Sequence, residues 1–495
     1  MLFNTFHFAY FFAILLPLYW ALPHRFQNYL LLAASYYFYS CWLVPGSAPA
    51  SLPRSMTEGH LFQFFWQRRF LSLLVLSTAM DFGCGIAVDR IVNVHRRKLF
   101  VILSMALNLG MLGYFKYYNF FAESLQVALT RAGMHVTLSQ LNLVLPIGIS
   151  FYTFQSMSYV IDVYRKDIKP TRNFIEFAAF VSFFPHLVAG PIMRPTTLLP
   201  QIEKKRRFDL QQVYQGFYLI FWGLTKKVVV ADNLALIVND LFGKWETIDG
   251  GLALLAIYAF AFQIYCDFSG YTDAARGIAK CLGIELSLNF NLPYFATSPK
   301  DFWARWHISL STWLRDYLYI TLGGSRGSKA MLYRNLMLTM IIGGLWHGAA
   351  WTFVLWGTYQ GLILVGHRML QPLLDKVHPT DPIDRACWKL VRIVATFHMI
   401  CFGWLLFRAS SLAQVRGMIA AIVFRPAIPA SAYILPIALA ILPLLIVQIM
   451  QYASKDLDVI SRTPWYFRSA FYTSCFYAFV LAGEFGGSQF IYFQF

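Results

Sequence analysis

Charge is scarce in this 495-residue chain. Asp, Glu, Lys and Arg make up 13% of it, about half the share of an ordinary soluble protein, while 58% is hydrophobic. A string of soluble cytosolic domains, which the length alone would allow, is therefore excluded. Soluble-enzyme signatures are also missing: there is no Walker A loop, no H-E-x-x-H, no G-x-S-x-G and no dinucleotide fingerprint. Gly323-Gly324-Ser325-Arg326-Gly327 lacks the G-K-[ST] ending and reads as a turn, so nothing points to ATP-driven work. The seven cysteines (Cys41, Cys84, Cys266, Cys281, Cys387, Cys401, Cys475) are odd in number and scattered, with no C-x-x-C. They read as core residues, with neither a disulfide framework nor a metal site. Internal repeats and low-complexity linkers are absent, and so are the matched broken helices of inverted-repeat transporters.

What the chain has in abundance is apolar runs that approach or exceed the roughly 18 residues needed to span a bilayer. Lipid leaves helices as the default way to satisfy backbone groups, so the fold class is an all-α polytopic membrane protein. Spans are expected near 5–22, 27–44, 70–91, 99–121, 142–163, 213–231, 251–275, 335–350, 352–370, 390–408, 432–452 and 466–484, about eleven or twelve in all. The first has no basic residue before it and no small-residue cleavage site, which reads as an uncleaved span with its N-terminus outside. Lys and Arg total 41 against 24 Asp and Glu, a net +17. In a membrane protein that excess belongs in cytoplasmic loops facing anionic lipid, so no nucleic acid partner is needed to explain it. The basic runs at 95–98, 164–167 and 204–207 then all fall inside. The single apolar stretch 174–192 between the last two carries Pro185, His186, Gly190 and Pro191 and reads as a re-entrant hairpin. The organisation expected is one membrane domain over 1–495. Residues 45–69 form an extra-membrane loop, 289–334 an interfacial or re-entrant region, and 486–495 a C-terminal aromatic motif.

Polar residues lodged in apolar surroundings are costly and mark candidate sites. His347 lies in Gly343-Gly344-Leu345-Trp346-His347-Gly348-Ala349-Ala350, where glycines allow close approach and Trp346 and Trp351 would wall a site. The same position also suits a histidine hydrogen-bonded to a neighbouring helix, and both readings stay open. His307 lies in Phe302-Trp303-Ala304-Arg305-Trp306-His307-Ile308-Ser309-Leu310-Ser311, where basic neighbours favour an interfacial structural role over catalysis. Gln263, Tyr265, Asp267, Ser269, Tyr271 and Asp273 form a third cluster, whose two carboxylates either serve a site or pair with arginines of the 300s for structure alone, the second reading being favoured.

At these residues the sequence resembles the membrane-bound O-acyltransferases, in particular their bacterial cell-envelope branch, which modifies alginate. The resemblance rests on Arg305 to Ile320, Gly343-Gly344-Leu345-Trp346-His347-Gly348, Tyr265-Cys266-Asp267-Phe268-Ser269-Gly270-Tyr271, Pro146-Ile147-Gly148-Ile149-Ser150-Phe151, Phe184 to Pro191, and Gly113-Tyr114-Phe115-Lys116-Tyr117. It covers nearly the whole chain, apart from the 45–69 loop and, less closely, 375–465. The resemblance implies helices around a tunnel that joins a cytoplasmic donor to an acceptor on the other face. Trp346, Trp306, Asp267, Ser269, Tyr271, Asp273, Ser311 and Arg315 are the candidates to line it or bind substrate. It implies transfer of an acyl group, acetyl above others, to hydroxyls of an extracytoplasmic polysaccharide. His347 is the catalytic histidine of the family's W-H-G motif, and His307 matches the upstream position. The implied donor is acetyl-CoA or an acyl carrier protein, with no bound cofactor and no metal. The implied partner is an extracytoplasmic SGNH-like acetyltransferase or other acyl-accepting protein, and the implied place is the bacterial inner membrane. Peptidoglycan O-acetylation and teichoic acid D-alanylation stand as rivals within the class, and a non-catalytic polysaccharide or lipid exporter stands outside it.

Phe490-Ile491-Tyr492-Phe493-Gln494-Phe495 closes the sequence with four aromatics, which on composition alone read as an interfacial anchor. The ending also resembles the C-terminal aromatic motif with a central tyrosine found in envelope members of the family, which implies that Tyr492 carries an acyl group. A phenol with pKa near 10 leaves an ester more readily than an alkyl alcohol does, so such an ester stays activated for a second transfer.

Overall fold

The computed structural model describes residues 1–41, 60–141, 143–187, 190–377, 379–429, 431–485 and 491. Among them every regular element is helical. Each of the twelve spans expected from the sequence overlaps a helix, although the helix within 142–163 begins only at Ile149. Among the described residues five segments are, by length and composition, long and apolar enough to cross a membrane: Phe70–Arg90, Val94–Arg131, Gly250–Cys281, Pro382–Arg408 and Ala432–Ser454. The chain forms two compact units, Met1–Ile220 with Ala274–Ser287, and Phe221–Asp273 with Leu288–Phe495.

The first unit contains α1 (Phe6–Ala21), α2 (His24–Ser40), α3 (His60–Arg90), α4 (Val94–Leu112), α5 (Tyr118–Arg131), α6 (Ile149–Arg165), α7 (Phe174–Ser182), α8 (Phe184–Leu187), α9 (Pro195–Glu203) and the start of α10 (Leu210–Thr225). Of the expected 45–69 loop, 45–59 lie outside the described residues. Residues 60–69, which contain no Pro or Gly, are instead the first turns of α3. Helices α3, α4 and α6 are tied by the buried Asp81, which accepts from Ser104 Oγ at 2.6 Å, Asn108 Nδ2 at 2.8 Å and Ser156 Oγ. A buried carboxylate survives only with such donors.

The broken 174–192 stretch is interrupted, as its prolines demand. α7 has 9 residues, about 14 Å of helix against a hydrocarbon core of about 30 Å, and the chain breaks at Phe183 before the short α8. His186 of α8 bonds Gln155 of α6 at 2.7 Å, and Gln155 Nε2 donates to Phe180 O. Gly148, at φ +73°, starts α6 where a Cβ would lie 2.7 Å from Leu187 O, so only glycine fits. Two of the motifs that carry the family resemblance, around 148 and 184, thus pack on each other.

The second unit begins with the end of α10 and a π-helical turn, Lys226–Ala231, and continues through α11 (Asp232–Gly243), most of α12 (Gly250–Cys281), α13 (Pro299–Trp303), α14 (Ile308–Trp313), α15 (Lys329–His347), α16 (Trp351–Leu374), α17 (Pro382–Arg408), α18 (Leu412–Phe424), α19 (Ser431–Ser454) and α20 (Trp465–Ala482). α18 is a further apolar helix, absent from the spans expected on the sequence. In the 289–334 region the short elements sort by chemistry: Trp306 and Trp313 are buried, while Lys300, Arg315, Arg326 and Lys329 are exposed. α15 and α16 form a tight antiparallel hairpin, because Gly344 and Gly357 face each other and a Cβ at either would lie 2.4 Å from backbone oxygen of the other helix. Five of the seven cysteines are buried. Cys387 is exposed, contrary to the core reading, because it stands in the exposed first turns of α17.

Candidate active site

His347 is the last residue of α15 and is only 6% exposed. Its ring meets Trp346 at 5.2 Å, Trp356 at 5.0 Å and Phe407 at 5.5 Å between centroids, each near perpendicular. Trp351, expected to wall the site, is exposed on the first turn of α16; Trp356 and Phe407 take that place. Gly348 follows in extended conformation under the Phe353 ring, where a Cβ would lie 2.1 Å from Cε2. The glycines of this motif therefore serve close packing of helix and ring, and Gly343 also opens a cavity.

His307 is fully buried within the protein. It caps α14 with φ +43°, a left-handed conformation that costs a non-glycine residue roughly 1–2 kcal/mol and is typical of functional sites. The turn sends the imidazole inward, while Arg305 pairs with Asp301 at 2.7 Å nearby. Phe268 packs edge-on at 4.7 Å, and the His347 ring lies 6.4 Å away. Nδ1 of His307 lies 3.3 Å from Asn289 Oδ1, which also accepts from Ser309 N–H at 3.1 Å and Ser309 Oγ at 2.9 Å. The backbone N–H of Ser309 identifies that Asn289 atom as the oxygen, so Nδ1 carries the proton and Nε2 is the acceptor nitrogen. His307 lies outside the five membrane-capable segments, and burial pushes its pKa down to about 3, which keeps the ring neutral. Asn289 had escaped the sequence reading, because an asparagine eighteen residues upstream carries no pattern.

A cavity of about 570 Å³ runs between α14, α15 and α16. Leu332, Leu336, Met340, Gly343 and His347 line it at helical spacing along one face of α15, about 22 Å from first to last at 1.5 Å per residue. Because the hairpin is antiparallel, His367 and Arg368 of α16 stand opposite Leu332, at the end far from His347. Lys300 is near enough to act electrostatically on His367, and Arg368 on Tyr319. One end is thus basic, the middle apolar, and the other end holds His347 and Trp356. Ser311 and Arg315 line this cavity.

The remaining candidates are placed elsewhere. Trp306 stacks on Phe302 at 5.6 Å and meets Trp404 at 4.8 Å inside an aromatic core; Trp346 and Tyr271 are buried in packing. The carboxylates of α12 are held by lysines. Asp273 binds Lys226 at 2.6 Å, with Ser269 on the same ammonium at 3.0 Å, and Asp267 binds Lys227 at 2.6 Å. Gly270 explains this: a Cβ there would lie 2.6 Å from Gly223 O, so the backbone of the 223–231 segment comes close enough to deliver two successive lysines. Tyr492 lies outside the described residues.

A buried histidine pair beside a long cavity in an all-helical membrane protein is the layout of a membrane-embedded group-transfer enzyme. Comparison with known proteins gives the kind of group. The sequence model of the MBOAT, membrane-bound O-acyltransferase family matches residues 166–411, and the chain belongs to this family. It is 40% identical to the probable alginate O-acetylase AlgI of Azotobacter vinelandii, over 84% of this chain and 77% of that one. It is also 34% identical to the peptidoglycan O-acetyltransferase of Helicobacter pylori, over 80% and 77% of the two chains. The teichoic acid D-alanyltransferase of Bacillus subtilis is 31% identical over 54% of this chain and 69% of its own.

Proposed function

We propose that this acyltransferase takes acetyl from acetyl-CoA on the cytoplasmic side of a bacterial inner membrane, which it crosses many times, and passes it towards hydroxyls of an extracytoplasmic envelope polysaccharide. The observation that carries the reading is the cavity with Lys300, His367 and Arg368 at one end and His347 at the other. Such a shape suits a donor with a phosphate-bearing head and a long, thin arm ending in a thioester. The relatives named for alginate and peptidoglycan O-acetylation support acetyl as the group and a glycan as the destination.

In this mechanism His347 takes the proton from an attacking hydroxyl as its oxygen bonds to the thioester carbonyl carbon. The C–S bond then breaks, and the departing sulfur receives the proton held on His347. The proton and the acetyl group are both accounted for. His307, with Nδ1–H committed to Asn289, offers Nε2 as an acceptor that orients a hydroxyl. The first acceptor in this reading is the Tyr492 hydroxyl, and the phenolic ester passes its acetyl to an extracytoplasmic partner that completes transfer to the glycan.

Membranes reconstituted with the chain, labelled acetyl-CoA and glycan test this. Label must reach protein or glycan only when His347 is intact. Unmodified glycan crossing equally well in His347→Ala, with no label transferred, would make the chain an exporter.

A further inference from the structure

Helix α20 ends at Ala482, and the chain beyond it is held against the 226–231 turn. Asn233 Nδ2 donates to Ala482 O at 2.7 Å, and Glu484 N–H donates to Val228 O at 3.2 Å. Ile491 is buried, and its N–H donates to Asp267 Oδ2 at 2.7 Å. The other oxygen of Asp267 binds Lys227 Nζ at 2.6 Å, and Lys227 in turn binds Asp232 at 2.7 Å. All three charged side chains are almost wholly buried.

A simple internal ion pair would need only Lys227 and Asp232, which are neighbours on one segment. Asp267 comes from another helix, and its desolvation is costly unless it has a use. Two carboxylates share one ammonium, and the peptide N–H of Ile491 donates to the second of them. Charge-assisted bonds of this kind are about twice as strong as neutral ones. The next residue of α12, Phe268, is the one whose ring abuts His307. The dock for Ile491 and the ring packed on His307 therefore belong to successive residues of one helix, and Tyr492 follows Ile491 directly in the chain.

We propose that Asp267, held in place by Lys227, is a positioning residue that docks the C-terminal segment through the backbone amide of Ile491 and so presents Tyr492 for acyl loading. The loading part rests on the carrier reading of Tyr492 given above; the docking part does not.

The test uses the full chain and leaves the buried charges untouched. Ile491→Pro removes the donating N–H, while Ile491→Val keeps it with nearly the same side chain. Carboxypeptidase digestion followed by mass spectrometry reads release of the last residues, and labelled glycan reads transfer. Loss of one charge-assisted bond predicts release at least about tenfold faster in Ile491→Pro than in Ile491→Val, with glycan labelling reduced by a similar factor. Equal release rates in the two variants overturn the docking. Faster release with undiminished glycan labelling keeps the docking and overturns the carrier reading. Unchanged release with lost labelling overturns the docking and leaves the carrier reading standing.

Discussion

The imidazoles of His307 and His347 lie 6.4 Å apart between centroids, one at the start of α14 and the other at the end of α15. A hydroxyl held between them would face both rings at once, His347 as the base and His307 Nε2 as a hydrogen-bond acceptor.

His347→Ala is expected to lower acyl transfer by about 10²–10⁴-fold, the usual worth of a general base, with a near-normal amount of protein in the membrane. Labelled-acetyl transfer normalised to chain quantity in the same membranes is the check. Full activity would remove His347 from the chemistry.

Asn289→Ala should act through His307. Without the oxygen on Nδ1 the ring is no longer restricted to one tautomer, so kcat should fall by at least about tenfold while donor KM stays near its original value. A rise in KM alone would place Asn289 in donor binding.

At the basic end of the cavity, Lys300→Ala and Arg368→Ala should raise the KM for acetyl-CoA with little change in kcat, because they act on the donor's phosphates equally in ground and transition states. Raising ionic strength should produce the same change in the unmodified chain, since exposed charges are screened. Initial rates at several salt concentrations would show both effects, and an unmoved KM would mean that the donor head sits elsewhere.

Gly344→Ala should separate the α15–α16 hairpin. The new Cβ would stand 2.4 Å from Phe353 O, a backbone atom that cannot swing aside, and overpacking of this kind costs about 1–3 kcal/mol. Thermal unfolding in detergent should report a lower midpoint, and transfer should fall because His347 ends the displaced helix.

Cysteines placed in 165–172 and 203–207 should both react only from the cytoplasmic side, as two basic runs around one short, broken helix require. Impermeant maleimide applied to sealed vesicles of each orientation decides it; reaction from opposite faces would mean a true crossing there.

Helix positions were legible because lipid permits little else: every apolar run long enough to matter became a helix, and Pro185 with Gly190 marked a break that the structure contains. His347 and His307 stood out because a titratable group in apolar surroundings is expensive wherever the chain places it. What surrounds them was not legible, since it depends on contacts remote in the chain. Trp351 and Trp356 are equally good walls on paper, and only the phase of α16 puts Trp356 on the ring and Trp351 outside. Asp267 and Asp273 could have met any cation; close approach at Gly270 gave them Lys227 and Lys226. Asn289 acquired its role only when a left-handed turn at His307 brought Nδ1 to its oxygen. Local composition and spacing thus determined which segments are helices and which residues could do chemistry. The pairing of those residues was decided by tertiary packing, because hydrogen bonds and ion pairs are specified by distances that sequence separation does not encode.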